Sequence, residues 1–137
     1  MPGMGNAVEL KVLEHIVGKT SYTMPSGLLL ALTTAVVVET DTGLTITRAA
    51  YTGYADKSVA GSDWGNATSP GGVGTIANVN AITFAACTAG TSTLAGWALL
   101  SGAGGDVIIF GTLASLVVSA TQTPVNFAAG ALIATLD

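Results

Sequence analysis

Asp41-Thr42-Gly43 is the tripeptide on which aspartic proteases are built, where two copies brought together let a pair of carboxylates share a proton and activate water. The chain holds one copy, so such chemistry would require a homodimer. The run Glu39-Thr40-Asp41-Thr42-Gly43 has the composition of a turn, and no glycine-rich flap accompanies it, so the tripeptide reads as a turn. His15 is the sole histidine. It falls on the polar side of a predicted helix beside Lys11, with no serine or cysteine partner for a triad, and reads as a solvated helix residue. Cys87 is the sole cysteine, which permits no internal disulfide. At a strand end in Phe84-Ala85-Ala86-Cys87 it has nothing nearby to lower its pKa and reads as a small hydrophobe. Glu39, Asp41, Asp56, Asp63 and Asp106 are scattered through loops without the Asp-x-Asp-x-Asp-Gly spacing of a calcium loop. Asn66-Ala67-Thr68 matches a glycosylation sequon, which means nothing without a secretion signal. With no phosphate-binding loop either, no catalytic, cofactor or metal site is expected, and the chain is not read as an enzyme.

Residues that could make contacts are easier to name. Trp97, Phe84, Phe110 and Phe127 lie within strand patterns and are assigned to the core. Trp64 lies in the polar loop Gly61-Ser62-Asp63-Trp64-Gly65-Asn66 and is read in two ways, as a candidate contact residue, since aromatic side chains are enriched at interface hot spots, or as folding back onto the sheet. Residues 1–5 are expected as a flexible arm whose Met1, Pro2 and Met4 reach a neighbouring subunit.

Only 9% of the 137 residues are charged, half are hydrophobic, and the mean hydropathy is +0.64. Small residues carry the apolar count, with 22 Ala and 18 Gly beside 19 Thr, against 6% aromatic residues. Low charge with high hydrophobicity is the reverse of a disordered composition. Four cations and a net charge of −4 cannot neutralise a row of phosphates, so no nucleic-acid partner is expected. The longest apolar run, Gly27 to Val38, is well short of the roughly 20 residues of a membrane helix, and no membrane partner is expected. The start, MPGMGNAVELK, lacks the regions of a signal peptide, which suits synthesis in a reducing cytoplasm. Little charge repulsion holds copies apart, so the surface invites coverage by partners or by copies of itself.

These groups need elements to hold them. A helix is predicted at about 7–17, with Asn6 as cap, Glu9 completing a capping box and Gly18 as terminator. Val8, Leu10, Val12, Leu13, Ile16 and Val17 share one side, so a single packed face is expected. Thereafter the period shortens to two. Strands are predicted at Leu28 to Val38, Leu44 to Arg48, Ser58 to Ala60, Ala77 to Ala85, Leu94 to Leu100, Val107 to Leu113, Leu116 to Ala120, Pro124 to Ala128 and Ala131 to Leu136. Leu94 to Leu113 should form an antiparallel hairpin, and the last two strands should join at Ala129-Gly130. The expected fold is mainly β, an antiparallel β-sandwich or jelly-roll-like barrel with one N-terminal α-helix, in one domain spanning 6–137.

The order of the Asn6 to Leu10 helix start, Leu28-Leu-Leu-Ala-Leu-Thr-Thr34, Gly53-Tyr54-Ala55, Asn80-Ala-Ile-Thr-Phe84, Gly96-Trp97-Ala98-Leu99, Phe110-Gly-Thr-Leu113 and Val125-Asn-Phe-Ala-Ala-Gly-Ala-Leu132 resembles a family of small virion proteins of tailed bacteriophages. Its members are described as head decoration (minor capsid) or as minor tail and tail-fibre proteins. The resemblance covers nearly the whole chain. It departs at Asp56, where members often carry Arg, and in the loop from Asp63 to Gly74. It implies a structural virion protein made in the host cytoplasm. The first expectation is a capsid decoration protein that stabilises the shell, with itself, as a homo-oligomer such as a trimer, and the major capsid protein as partners. The alternative is a minor tail or tail-fibre module that contacts a host receptor through loops such as Asp63 to Gly72.

Overall fold

The structure, a computed structural model, describes residues 3–136. It is mainly β with one helix near the N-terminus. In chain order the elements are β1 (Gly3–Met4), α1 (Asn6–Ile16), β2 (Leu28–Thr33), β3 (Lys57–Val59), β4 (Gly74–Ala77), β5 (Ile82–Thr83), β6 (Thr91–Leu100), β7 (Val107–Ser119), β8 (Asn126–Phe127) and β9 (Ile133–Leu136). Five strands form one sheet in the order β1-β7-β6-β2-β3, while β4 pairs with β9 and β5 with β8, all antiparallel. No sheet closes into a barrel. The large sheet ends at β1 and β3, two short edge strands that offer little ladder to a stray chain.

Central β2 is buried on both faces, and its alternation sorts its side chains between two clusters. Leu30 and Leu32 join Tyr51, Ile82, Phe84, Leu94, Trp97, Val118, Phe127 and Leu132 in the larger one. Residues of β5 and β8 and the flanking loops cover that face. Ala31 points the other way, into a smaller cluster with Val37, Ile46, Ala98, Leu100 and Val107, where the segment after β2 folds back over the sheet. Trp97, Phe84 and Phe127 are core residues as expected, and Phe110 packs half-buried against the smaller cluster.

The β6–β7 hairpin forms as expected, but the two strands predicted on its return side are one. Between Thr112, opposite Gly96, and Leu116, opposite Leu94, a bulge absorbs the extra residues without ending the strand. Leu44 to Arg48 is not a strand despite its alternation. The Asp41 carboxylate accepts from the Val38 N–H (2.9 Å) and the Thr45 hydroxyl (2.9 Å), and Thr45 Oγ1 accepts from the Thr42 N–H. Side chains bonding the local backbone outcompete a ladder here. Ala77 to Ala85 breaks at Asn78, and β8 and β9 pair with different partners instead of each other. Gly3 and Met4, expected in a free arm, hydrogen-bond beside Phe110 and Ile109 as β1.

The helix departs from expectation in two ways. Gly5 is its cap and Asn6 its first residue, with no side-chain cap bond. Gly5 is required there, since a Cβ would lie 2.2 Å from the Val107 carbonyl oxygen. The C-terminal end is as read from sequence: Gly18 (φ +73°) donates to His15 O and Lys19 to Glu14 O, the paired bonds of a Schellman motif. The packed face is not as read. Only Val8 is buried, while Leu10, Leu13, Ile16 and Val17 are 60–75% exposed. At 100° per residue the six apolar positions span about 200°, more than one neighbouring surface can cover.

Candidate functional site

The groups first weighed for chemistry are dispersed. Asp41 is spent on its own turn. His15, exposed on α1, accepts from the Tyr22 N–H at 3.2 Å. Cys87 is buried in the larger cluster with its Sγ on the Ala89 and Gly90 carbonyls. Among the described residues no three His, Cys, Asp or Glu side chains are grouped to hold a metal ion, and none of the helices is long and apolar enough to cross a membrane.

Among the described residues, one densely bonded ionic group ties the fold together. Arg48 donates to Asp56 Oδ2 (2.9 Å), Gly43 O (2.6 Å) and Ala103 O (2.8 Å). Tyr54 Oη donates to Asp56 Oδ1 (2.7 Å) and accepts from the Leu32 N–H (2.9 Å). Burial, then the carboxylate it donates to, pushes the Tyr54 phenol far above the usual tyrosine range. Tyr54 stacks against Phe84 at 6.2 Å and meets Tyr51 edge-on at 5.4 Å, so the network continues into the aromatic core. Asp56, the departure from the resemblance, therefore anchors the Gly43 and Ala103 turns to β2 through Arg48 and Tyr54.

The contact candidates fare unevenly. Met1 and Pro2 lie outside the described residues. Met4, in β1, lines an apolar cavity of about 270 Å³ with Ile109 of β7, Ile76 of β4 and Ala67. Trp64 is half-buried against the larger cluster, and its indole N–H is enclosed without a hydrogen-bond partner. Of its two readings, Trp64 folds back onto the core in this structure. Its loop is pinned beside β4 by bridges Trp64–Asn78 and Thr68–Thr75, which bring Ala67 to the cavity Met4 lines. The Asp63 carboxylate accepts from the Ala60 N–H and from Asn80, bonds that hold it below the usual carboxylate range.

The free part of that loop is its outer turn. Asn66 to Gly72 is exposed throughout, and Gly71 (φ +64°) and Gly72 (φ +90°) turn the chain through a left-handed corner with open space around them. Its hydroxyl and amide groups, from Asn66, Thr68 and Ser69, carry no charge. Sequence reasoning missed Asn78, buried at 2%, which holds the loop's far end. Its Nδ2 donates to Asn80 O and Ala128 O, and its Oδ1 accepts from the Leu132 N–H, so every polar atom is satisfied. The only available signal is a pair of asparagines, Asn78 and Asn80, inside the predicted run Ala77 to Ala85.

Over residues 3–135 the chain matches the family described as podophage GP4 fiber I protein gp80. The chain belongs to that family. Membership makes it a component of a tailed-phage particle and a fibre or other virion structural protein. No curated protein matches the chain. The gp80 match runs from β1 into β9, so it takes in the whole sheet, the Trp64 loop and the Asn78 junction.

Proposed function

We propose that the chain is a structural module of a tail-associated fibre, acting by contact and without catalysis. The observation that carries this is the gp80 family match over nearly the full length, whose description is of a fibre protein. It favours the fibre over the capsid decoration first expected from the resemblance, and the major capsid protein is a partner only under the decoration reading. The structure supports a contact role through its turn Asn66 to Gly72, an exposed, uncharged, hydroxyl- and amide-bearing surface suited to a receptor or carbohydrate. The same turn is closed at its base by paired backbone bonds between Thr68 and Thr75, which lowers the ordering a ligand must impose. The low-charge surface supports self-association into a homo-oligomer.

Localising the chain on purified particles by antibody labelling and electron microscopy tests the reading. Label confined to tail-associated fibres, in few copies per particle, is the expected result. Several hundred copies spread over the head would replace it with the decoration reading, and absence from the particle would end both.

A further inference from the structure

Residues 3–22 form an arm joined to the rest of the chain by a bare stretch of backbone. Gly18, Lys19 and Thr20 donate back to α1, and the Tyr22 N–H donates to His15, so the turn after the helix belongs with it. Among the described residues the next five, Thr23 to Gly27, make no hydrogen bond and none of them is buried, with Met24 82% exposed. Pro25 fixes its own φ and biases Met24 towards an extended backbone, which makes this stretch a stiff hinge between the arm and β2. We propose that the arm is exchanged between copies of this chain, β1 and α1 of one copy docking on β7 of another. The proposal rests on the fibre reading only in taking the chain to act in several copies.

The surface under the arm specifies what can occupy it. Among the described residues, the arm's hydrogen bonds to the body fall within one socket. Gly3 and Met4 pair with Phe110 and Ile109, Gly5 donates to Ile108 O, Asn6 donates to Glu39 O, and Lys11 bonds Asp106. A Cβ at Gly3 would lie 2.7 Å from the Phe110 ring, and one at Gly5 2.2 Å from the Val107 carbonyl oxygen. The socket therefore selects a Gly-x-Gly strand that leads straight into a helix, and Gly3-Met4-Gly5 followed by α1 is that segment. A second copy carries it, whereas an unlike partner would have to reproduce it. An empty socket would bare the edge of β7 beside Ile109 and Phe110 together with the apolar cavity that Met4 lines, so the arm must be replaced wherever it is withdrawn. The contacts of arm with socket are the same whichever chain supplies the arm, and only the path of the hinge differs. Each chain gives one arm and receives one, so exchange closes into a dimer or a ring at low cost.

The test uses two full-length chains with different tags, one carrying Met4→Cys and the other Ile109→Cys, produced together and oxidised in the native state, where Cys87 is buried. Residues 4 and 109 stand directly opposite in the ladder, within reach of a disulfide. Exchange is expected to give a covalent pair holding both tags. Lys57→Cys in β3, at the far edge of the sheet, is expected to give none when it takes the place of Ile109→Cys. A single chain carrying both Met4→Cys and Ile109→Cys is expected to run as covalent multimers. If instead that double variant closes within single chains and the mixture yields no pair, the exchange is overturned while the fibre reading stands. A pair formed equally well with Lys57→Cys overturns it too. Should a cysteine prevent folding, or neither disulfide form, Lys11→Cys and Asp106→Cys on separate chains, bridged by a short bismaleimide, decide: a product with both tags supports exchange, and its absence refutes it.

Discussion

Replacing Asn78 by Ala should be strongly destabilising. The side chain makes three bonds at a site 2% exposed, to Asn80 O at 2.8 Å, Ala128 O at 2.9 Å and the Leu132 N–H at 2.9 Å. The three losses are unequal. Asn80 and Ala128 are exposed residues, whereas Leu132 is buried at 1% and its N–H would be stranded. A stranded buried donor costs about 1–3 kcal/mol and each of the two other neutral bonds about 1 kcal/mol, so the change should remove about 3–5 kcal/mol. At a few degrees per kcal/mol, Tm should fall by about 10 °C. Urea unfolding followed by Trp64 and Trp97 fluorescence measures this directly, with the midpoint moving and the slope constant. Asn78→Asp supplies the sharper control. It keeps an acceptor for Leu132 but faces two carbonyls with a carboxylate, so its folded pKa should be raised. Its stability is then present below the ordinary carboxylate pKa and lost as pH rises through the folded value. An Ala variant within 0.5 kcal/mol of wild type (on the order of a surface change), or an Asp variant as stable as wild type at pH 7, would refute the reasoning.

Three further outcomes follow from other contacts. Tyr54→Phe strands the Leu32 N–H and removes a donor from Asp56, a loss of about 2–4 kcal/mol. Because the Tyr54 pKa is raised, its contribution is complete below about pH 10 and falls above it as the unfolded phenol ionises. The alkaline loss of stability should be shallower in the variant, by at most about 1.4 kcal/mol per pH unit, and equal slopes would contradict the assignment. Gly111→Ala puts a Cβ 2.7 Å from the Trp97 Nε1, so about 1–3 kcal/mol should be lost with a shift in Trp97 emission; unchanged emission counts against it. Cys87, buried on two carbonyls, should react with a thiol reagent only at the unfolding rate, and fast labelling of the native chain would show the site to be open.

How much of this was legible in the residues depends on where hydrogen bonds go. Period-two runs that become strands, such as Leu94 to Leu100, are those whose backbone finds a partner ladder. Leu44 to Arg48 has the same alternation, yet Asp41, Thr42 and Thr45 satisfy the backbone locally, and alternation carries no information about that competition. Gly18 was legible because a positive φ is a local demand that glycine meets. Gly5 was not, because what excludes a side chain there is the Val107 carbonyl, a hundred residues away in sequence. Asn78 was illegible for the same reason: two of its three partners, Ala128 and Leu132, lie 50 and 54 residues away in sequence.

The helix makes the complementary point about function. Six apolar residues on one side of α1 were read as one packed face because a wheel shows which residues cluster but not how much of the cluster a neighbour can reach. The chain covers Val8 and half-covers Val12 and leaves the rest in water. Exposing four large aliphatic side chains forgoes on the order of 1–2 kcal/mol each, a sizeable fraction of the stability of a domain this size. The N-terminal helix start is tied down independently, by Asn6 N–H on Glu39 O and by Lys11 on Asp106. Polar residues at Leu13 and Ile16 would therefore leave the fold of the single chain intact.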